Sequence, residues 1–400
     1  MTLEPTLVAD VLVNLFGAGG AIVVAREVRR SDPNGPVSRR IAFALWFVAV
    51  LFVTRAWSWY SNGLVTDAIV TTLASATPLV SLIVAEGLLR RHAPRGLKLA
   101  LVSAPLVVFG AMLLPFVPVL VQVALLLATV LGGFVAIAVL LWTRDADSLT
   151  IAENSTIRRV LIAVLFLAPL IVTDFRFIWS DIPVRLGALG ALVLMHVGLG
   201  VGTFHSSLQG RMSIVAVYAV VAALFAFGYV STGHSAGGFE QLMRAAATGV
   251  AGLLFAGLFA ESQGARSERT RASVQLVGAS SPEDFMHRLS SHPLLSDAQL
   301  LPDEALEQVA HPDFQALLEH HPTLRRSAAP WGCEPTDDGV ERALSLMRAH
   351  DATDLAMITA KPLRLIAVSL PAMAEDARIE SEIDVAQIVG ALVYSKATTT

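Results

Sequence analysis

The segment VLVQVALLLATVLGGFVAIAVLLW, residues 119–142, contains no charged side chain and determines how the rest of the chain is interpreted. A helix that crosses the hydrocarbon core of a bilayer needs about 20 predominantly apolar residues. This segment meets that requirement, and eight similar segments lie with it in the first 261 residues. One such helix can be the core of a soluble protein, but nine in succession predict an α-helical polytopic membrane bundle.

The predicted spans are separated by short polar gaps and account for most of the 54% of residues that are hydrophobic. They are Leu7–Ala25, Ile41–Trp59, Asp67–Leu89, Leu99–Val117, Val119–Trp142, Val160–Trp179, Val184–Phe204, Met212–Val230 and Leu242–Ala260. Arg244 lies inside the last of them, so a bundle of eight helices remains an alternative. We predict that the bundle occupies residues 1–261.

Basic residues in the gaps indicate the orientation of the bundle. Residues 1–261 contain 17 lysines and arginines, of which 13 lie in alternate gaps. Lys and Arg near the ends of spans are retained in the cytoplasm. With nine spans, we therefore expect the N-terminus outside and the C-terminal tail in the cytoplasm, in a cell inner membrane or plasma membrane. Trp57, Trp59, Tyr60 and Trp179 lie at predicted outer ends, where aromatic anchors are expected.

Five charged residues fall in the outer third of the predicted spans, namely Asp10, Arg55, Asp67, Asp174 and Arg176. Charges inside a membrane are costly and usually face a cavity, a partner or an ion path. If the helices bring them together, they form a mixed-charge ligand site open to the exterior. Arg55 would pair with Asp174, and Arg176 would remain for an anion or a second carboxylate. The alternative is structural: ion pairs that lock helices together, or arginines that extend to the headgroups.

Two further polar residues lie within the predicted spans. Glu86 is near an inner helix end, followed by Arg90, Arg91 and His92, and a salt bridge at the cytoplasmic interface explains it. His196 lies in the middle of a span, where a neutral imidazole commonly donates a hydrogen bond across a helix pair. No second histidine lies at a matching depth in the predicted spans, so the sequence gives no reason to expect a metal or a proton relay there.

Residues 262–272 are predicted to be a connector and residues 273–400 a small cytoplasmic α+β domain. The tail from Ser262 has 12 basic and 20 acidic residues, which argues against binding nucleic acid. Helices are expected to begin at Ser281-Pro282, to cover Asp303–Val309 and Asp313–Glu319, and to run from Asp337 or Asp338 to Ala349. Leu355–Ala360 and Leu363–Leu370 predict a β-hairpin turning at Lys361-Pro362. A closing helix is expected from Glu375 to Tyr394, with an apolar face of Ile379, Ile383, Val385, Ile388, Val389 and Leu392.

The last 60 residues or so contain AMITAKPLRLIAVSLP, residues 356–371, followed by ESEIDVAQIVGALV, residues 380–393. This order of helix, hairpin and closing helix resembles the end of a GAF domain. The resemblance covers none of the earlier part of the tail. It implies a small domain that follows a membrane module in a bacterial sensory protein, where it binds a small ligand or mediates dimers.

The expected function also follows from the motifs that the sequence lacks. No phosphate-binding loop, nucleophile elbow or kinase motif set occurs, and neither the single cysteine, Cys333, nor the tail histidines have the spacing of a metal site. We therefore expect no enzyme activity, cofactor or metal. The leading hypothesis is a membrane sensor or scaffold whose tail binds a cytoplasmic protein or self-associates. The alternative is a transporter or channel with a regulatory tail.

Overall fold

A computed structural model describes residues 5–31, 35–61, 63–89, 91–114, 116–144, 151–175, 183–199, 208–231, 238–292, 295, 298–308, 311–326, 329–334, 337–360, 362–369 and 377–397. The chain is mostly helical, with a small antiparallel sheet near its C-terminus. It divides into two compact units. The first, here called the bundle, comprises Met1–Arg144, Thr156–Gly202 and Ser206–Gln263. The second comprises Asp145–Ser155, Thr203–His205 and Gly264–Thr400. Its portion from residue 278 to residue 400 is here called the tail domain.

The described residues before the tail domain form nine α-helices. They are α1 (Pro5–Ser31), α2 (Pro36–Ser61), α3 (Leu64–Leu89), α4 (Arg95–Leu113), α5 (Val119–Trp142), α6 (Ile151–Val172), α7 (Gly187–Leu194), α8 (Leu208–Ser231) and α9 (Gly238–Val277). A π-helical turn, Met195–Leu199, continues α7. The segment predicted as a connector, residues 262–272, lies within α9.

Six helices in the described part of the chain are long and apolar enough to cross a membrane. Their candidate spans are Leu7–Arg30, Pro36–Ser61, Leu64–Leu89, Arg95–Leu113, Val119–Trp142 and Gly238–Gln263. These six are compatible with a multi-pass membrane protein, and the span that contains Arg244 is among them. The other three predicted spans overlap α6, α7 and α8, which adjoin residues outside the described ranges. The count of nine is therefore not confirmed.

Small residues let the helices of the bundle approach closely. A Cβ atom at Gly17 would lie 3.0 Å from both Phe52 of α2 and Ala188 of α7, so α1 packs between these two helices. A Cβ atom at Gly133 of α5 would lie 2.5 Å from Pro78 of α3. Association of helices in lipid depends on such close packing because lipid tails are as apolar as the side chains.

The described part of the tail domain contains four strands and five helices. The strands are β1 (Gln299–Leu300), β2 (Thr323–Arg325), β3 (Asp354–Ala360) and β4 (Leu363–Val368), and the helices are α10 (Pro282–Ser290), α11 (Asp303–Gln308), α12 (Pro312–His320), α13 (Asp338–Ala349) and α14 (Ala377–Ala397). The five helices and the strands β3 and β4 lie at the predicted positions, whereas β1 and β2 were not predicted. The order in the sheet is β1-β4-β3-β2, with antiparallel neighbours. The predicted hairpin is confirmed, with Ala360 opposite Leu363. Asp337 is the N-cap of α13, as predicted.

Hydrophobic residues cover both faces of this sheet. Because neighbouring residues of a strand point to opposite faces, β3 contributes to two cores. One core contains Phe285, Ala356, Ile358, Ile366, Ile383 and Val389. The other contains Phe314, Leu324, Leu346, Met347, Leu355 and Leu365. Helices α10 and α14 therefore cover one face of the sheet, while α12 and α13 cover the other.

The predicted apolar face of the closing helix is partly wrong. Ile383 and Val389 are buried against the sheet, together with Ala386 and Val393. Ile388 and Leu392, however, are exposed by 62% and 58%. The apolar residues of α14 form two stripes that both follow the helical period. The stripe that faces the sheet includes Ala386, and its short side chain allows the helix to lie close to β3. The side chain of Ile379 lies outside the described residues.

The N-terminus of α10 gives a pH-dependent prediction. Ser281 accepts a hydrogen bond from the backbone N–H of Asp284, and Asp284 accepts one from Ser280 N. Arg288, which donates to the carboxylate at 2.8 Å, lowers the pKa of Asp284 to about 2. This carboxylate therefore contributes stability that is complete above the unfolded-state pKa and is lost as the pH falls through about 2.

Asp284→Asn is expected to destabilise the tail domain at pH 7, with the difference from the unsubstituted protein shrinking between pH 4 and pH 2. Thermal unfolding of the purified chain across this pH range measures it. A difference that stays constant down to pH 2 would contradict the assigned cause.

Candidate functional site

An ion pair joins α2 to the connection between α6 and α7. Arg55 Nη1 donates to Asp174 Oδ2 at 2.5 Å, and the two side chains are only 16% and 14% exposed. This is the pair expected from the sequence. Charge-assisted hydrogen bonds are short and roughly twice as strong as neutral ones. The pair therefore fixes the end of α6 against α2.

The backbone at the start of α7 is satisfied by side chains from elsewhere in the bundle. Arg185 N donates to Asp10 Oδ1 at 2.9 Å, Leu186 N to Thr173 Oγ1 at 2.8 Å, and Gly187 N to Asp174 Oδ1 at 3.1 Å. The first N–H groups of a helix have no acceptor within it, and carboxylates are favourable at this positive end of the helix dipole. Asp174 thus holds both Arg55 and the first residue of α7.

Trp59 links the Arg55–Asp174 pair to a second pair of opposite charges. The guanidinium of Arg185 lies 4.6 Å from the centre of the Trp59 ring, and that of Arg55 lies 5.9 Å from it. Arg185 also lies 3.9 Å from the buried carboxylate of Asp10. A cation within about 6 Å of an indole ring is attracted by its face. We call these five residues the α7 cap cluster: Asp10, Arg55, Trp59, Asp174 and Arg185.

A partly open cavity of about 250 Å3 lies beside the α7 cap cluster and is lined by residues of α2, α3, α5, α6 and α7 and by the residues that follow α6. Its walls are mainly hydrophobic and include Leu51, Phe52, Val130, Phe134, Leu167 and Ala191. Arg55 and Asp174 are the charged residues among the described ones that line it. Binding sites for small molecules are commonly apolar cavities with few polar groups, and cavities of about 150 Å3 lined by Leu, Ile and Phe bind benzene. This cavity is large enough to hold a small ligand.

The five residues predicted to form one ligand site are only partly brought together. Asp10, Arg55 and Asp174 belong to the α7 cap cluster. Asp67 is exposed in the first turn of α3 and is not among the residues that line the cavity. Arg176 lies outside the described residues, so its predicted role with an anion stays a prediction.

Glu86 forms a salt bridge near the end of α3, and its cation comes from the next helix. Lys98 Nζ of α4 lies 2.6 Å from Glu86 Oε1, and the backbone N–H of Ala93 donates to the same oxygen at 2.6 Å. His92 lies 3.8 Å away. These contacts fix the turn between α3 and α4, which agrees with the structural interpretation of Glu86.

His196 is completely buried in the π-helical turn and faces a residue of α9. Its Nδ1 lies 3.8 Å from Glu261 Oε1, and its ring centre is 6.4 Å from that of Tyr218 in α8. π-helical turns inside α-helices frequently occur at functional sites. The sequence analysis predicted a hydrogen bond across a helix pair for His196. The Glu261 carboxylate, which that analysis did not single out, faces the ring from another helix but lies beyond hydrogen-bonding distance.

The tail domain brings together three groups of the type that bind metals. Atoms of His311, Asp313 and Asp338 lie within 4.8 Å of one another. Helix capping accounts for this arrangement, since His311 Nδ1 accepts from Asp313 N and both acids lie in first turns, of α12 and α13. We assign no metal to it.

Four residues that the structure places at this site were not predicted to belong to it. Trp59 was expected only as an interfacial anchor, and Arg185, Gly187 and Thr173 were not singled out. A Cβ atom at Gly187 would overlap the Asp174 carboxylate. The sequence holds no local signal for this cap, because Asp174 and Gly187 are 13 residues apart and meet only in the folded bundle.

Gly187→Ala is expected to displace the Asp174 carboxylate and weaken its bonds to Arg55 and to α7, lowering the melting temperature of the detergent-solubilised protein. Gly132→Ala in α5 is the matched control, because a Cβ atom there meets nothing within 4 Å. Alanine favours a helix over glycine by up to about 1 kcal/mol, so the control should be neutral or stabilising. Equal melting temperatures for the two variants would contradict the assigned geometry.

Six long apolar helices in the described part of the chain are compatible with a multi-pass membrane protein. Comparisons with protein families, with characterised proteins and with solved structures find no match to this chain. The resemblance of the tail to a GAF domain is accordingly without support from any family.

Proposed function

We propose that this chain is an integral membrane sensor or scaffold without enzymatic output, in which the state of the α7 cap cluster is passed to the tail domain. The observation that carries the proposal is the cavity with Arg55 and Asp174 in its wall. An occupant of the cavity touches both members of a bridge between α2 and α7. A ligand shifts a conformational equilibrium when it binds two arrangements unequally.

The proposed arrangement in the cell is the one indicated by the basic gaps. Nine spans cross an inner or plasma membrane, the N-terminus is outside, and the tail is in the cytoplasm. The helix α9 supports a route for the signal, because it continues without a break from a candidate span into the second unit. The tail would then bind a cytoplasmic protein or a second copy of itself.

Hydrogen exchange of the full-length protein in lipid nanodiscs tests this proposal. If breaking the Arg55–Asp174 pair changes the state of the bundle, Asp174→Asn should change exchange rates of tail-domain peptides at least about threefold relative to the unsubstituted protein. Asp67→Asn, an exposed aspartate in a candidate span, is the control and should leave them unchanged. Tail peptides that exchange equally in all three proteins would refute a sensor.

The alternative function is a transporter or channel, which the cavity also favours. In that case Asp174→Asn should abolish conductance or uptake in proteoliposomes while leaving exchange of the tail unchanged. A sensor gives the opposite combination. The charges that line the cavity neutralise each other, which supports the sensor over an ion path.

A further inference from the structure

The cavity in the bundle is built for an uncharged occupant. Its two charged lining residues are already bonded to each other, and Asp174 is also bonded to the first N–H of α7. A charged ligand would therefore have to break the cap of α7 or be buried without a counter-ion. An unpaired charge costs several kcal/mol when it is buried. The remaining walls are predominantly aliphatic and aromatic.

Three hydroxyl groups of α3 line the cavity, and one of them remains available to a ligand. Thr77 donates to the carbonyl of Leu73 at 3.3 Å, and Ser81 donates to that of Thr77 at 2.9 Å. Thr71 also lines the cavity, and its hydroxyl has no hydrogen-bond partner among the described residues. A half-buried hydroxyl in an apolar site favours a ligand that places one oxygen or nitrogen atom next to it, because that atom satisfies the hydroxyl with a hydrogen bond.

The lining of the cavity extends along α3 from Val70 to Ser81, which is about 16 Å of helix at 1.5 Å per residue. Walls of this extent, lined mainly by apolar side chains, can accommodate a short hydrocarbon chain.

We propose that this cavity binds one hydrocarbon chain that carries a single uncharged oxygen-containing group, with one oxygen of that group hydrogen-bonded to Thr71. The chain comes either from a free long-chain alcohol or from a bilayer lipid, whose ester carbonyl oxygen would accept the hydrogen bond. This inference names the class of ligand for the site in the proposed function and rests on that proposal only for its effect on the tail. Binding itself is measured separately.

The test uses the full-length protein in nanodiscs and a decyl alcohol that bears a photoreactive diazirine. After irradiation, adducts are mapped to peptides by mass spectrometry and are expected on the cavity-lining segments of α2, α3, α5, α6 and α7. Excess 1-decanol should reduce labelling at least tenfold. Decanoate and decyltrimethylammonium, which have the same chain with a charged end, should compete at least tenfold less well.

Two substitutions with a control connect the labelling to this cavity. Ala74→Leu fills the space and should reduce labelling at least tenfold, whereas Ala100→Leu on the exposed face of α4 should have no effect. Thr71→Val keeps the size of the side chain but removes the hydroxyl. It should weaken competition by 1-decanol about fivefold, the value of one neutral hydrogen bond, and leave competition by decane unchanged.

Labelling that is insensitive to Ala74→Leu, or decanoate that competes as well as 1-decanol, would overturn the proposal. Native mass spectrometry of protein purified without added alcohol separates the two sources. A phospholipid retained by the unsubstituted protein and lost from the Ala74→Leu variant identifies the bilayer as the source, and 1-decanol binding to lipid-free protein identifies a free ligand. Binding without any change in tail exchange would refute the sensor function while leaving this inference intact.

Discussion

Replacing Asp174 with asparagine is expected to lower the free energy of unfolding of the bundle by about 3 kcal/mol, because removing one member of a buried ion pair leaves the other charge without compensation. Arg55 is only 16% exposed and lies 2.5 Å from the carboxylate. Asparagine keeps an oxygen that can accept the hydrogen bond from Gly187 N, so the substitution mainly removes the charge. Denaturant titration of the protein in detergent, followed by tryptophan fluorescence, measures the effect.

The same measurement on three further variants isolates the pair. Asp67→Asn makes the identical chemical change at an exposed position and should cost less than about 0.5 kcal/mol. Arg55→Met should destabilise about as much as Asp174→Asn. The double variant should be more stable than the sum of the two single losses predicts, because neither charge remains buried alone. Strict additivity of the two losses would show that Arg55 and Asp174 do not interact.

The second large effect is expected in the tail domain, where Phe285→Ala should cost about 3–5 kcal/mol. Phe285 is fully buried between α10 and α14. Its ring meets that of Tyr394 edge to face at 6.5 Å between centroids, and it borders Gly390, where a Cβ atom would lie 3.1 Å from it. The surrounding helices cannot collapse into the space that the ring leaves without moving α14 from the sheet.

Phe239→Ala provides the control for Phe285→Ala, since Phe239 is 70% exposed near the start of α9. Limited proteolysis of the full-length protein in detergent reports the unfolding of the tail directly. We expect cleavage of the tail of the Phe285→Ala variant to accelerate at least a hundredfold, with the Phe239→Ala variant unchanged. Equal cleavage rates would mean that α10 and α14 do not share a core.

Local signals in the sequence were sufficient for most helices and for the hairpin. The apolar length of Val119–Trp142 predicts a span because lipid requires a helix that satisfies its own backbone. Ser281 followed by Pro282 and two acids predicts the start of α10 because each of these residues favours the first turn of a helix. The strands β1 and β2 were missed because two and three residues are too few to show an alternating pattern.

The candidate site depends on contacts that no local signal contains. Asp10 bonds to Arg185, which is 175 residues further along the chain, and this contact follows from the order of the helices in the plane of the membrane. The charge of Asp174 predicted a partner, whereas its second role, as the cap of α7, depends on how α6 meets α7. In α14 the helical period gave two apolar stripes, and only packing against the sheet selects Ile383 and Val389 over Ile388 and Leu392.

The proposed sensor function requires the tail domain to lie in the cytoplasm, because a sensor of this kind must deliver its signal there. Cys333 is the only cysteine of the chain and is a partly exposed residue of the tail domain, so it reports the location without any substitution. Labelling with a membrane-impermeant maleimide, in intact cells and in inverted membrane vesicles, is the direct measurement. The account predicts no labelling of Cys333 in intact cells and labelling in inverted vesicles, whereas labelling in intact cells to the level seen in detergent would contradict it.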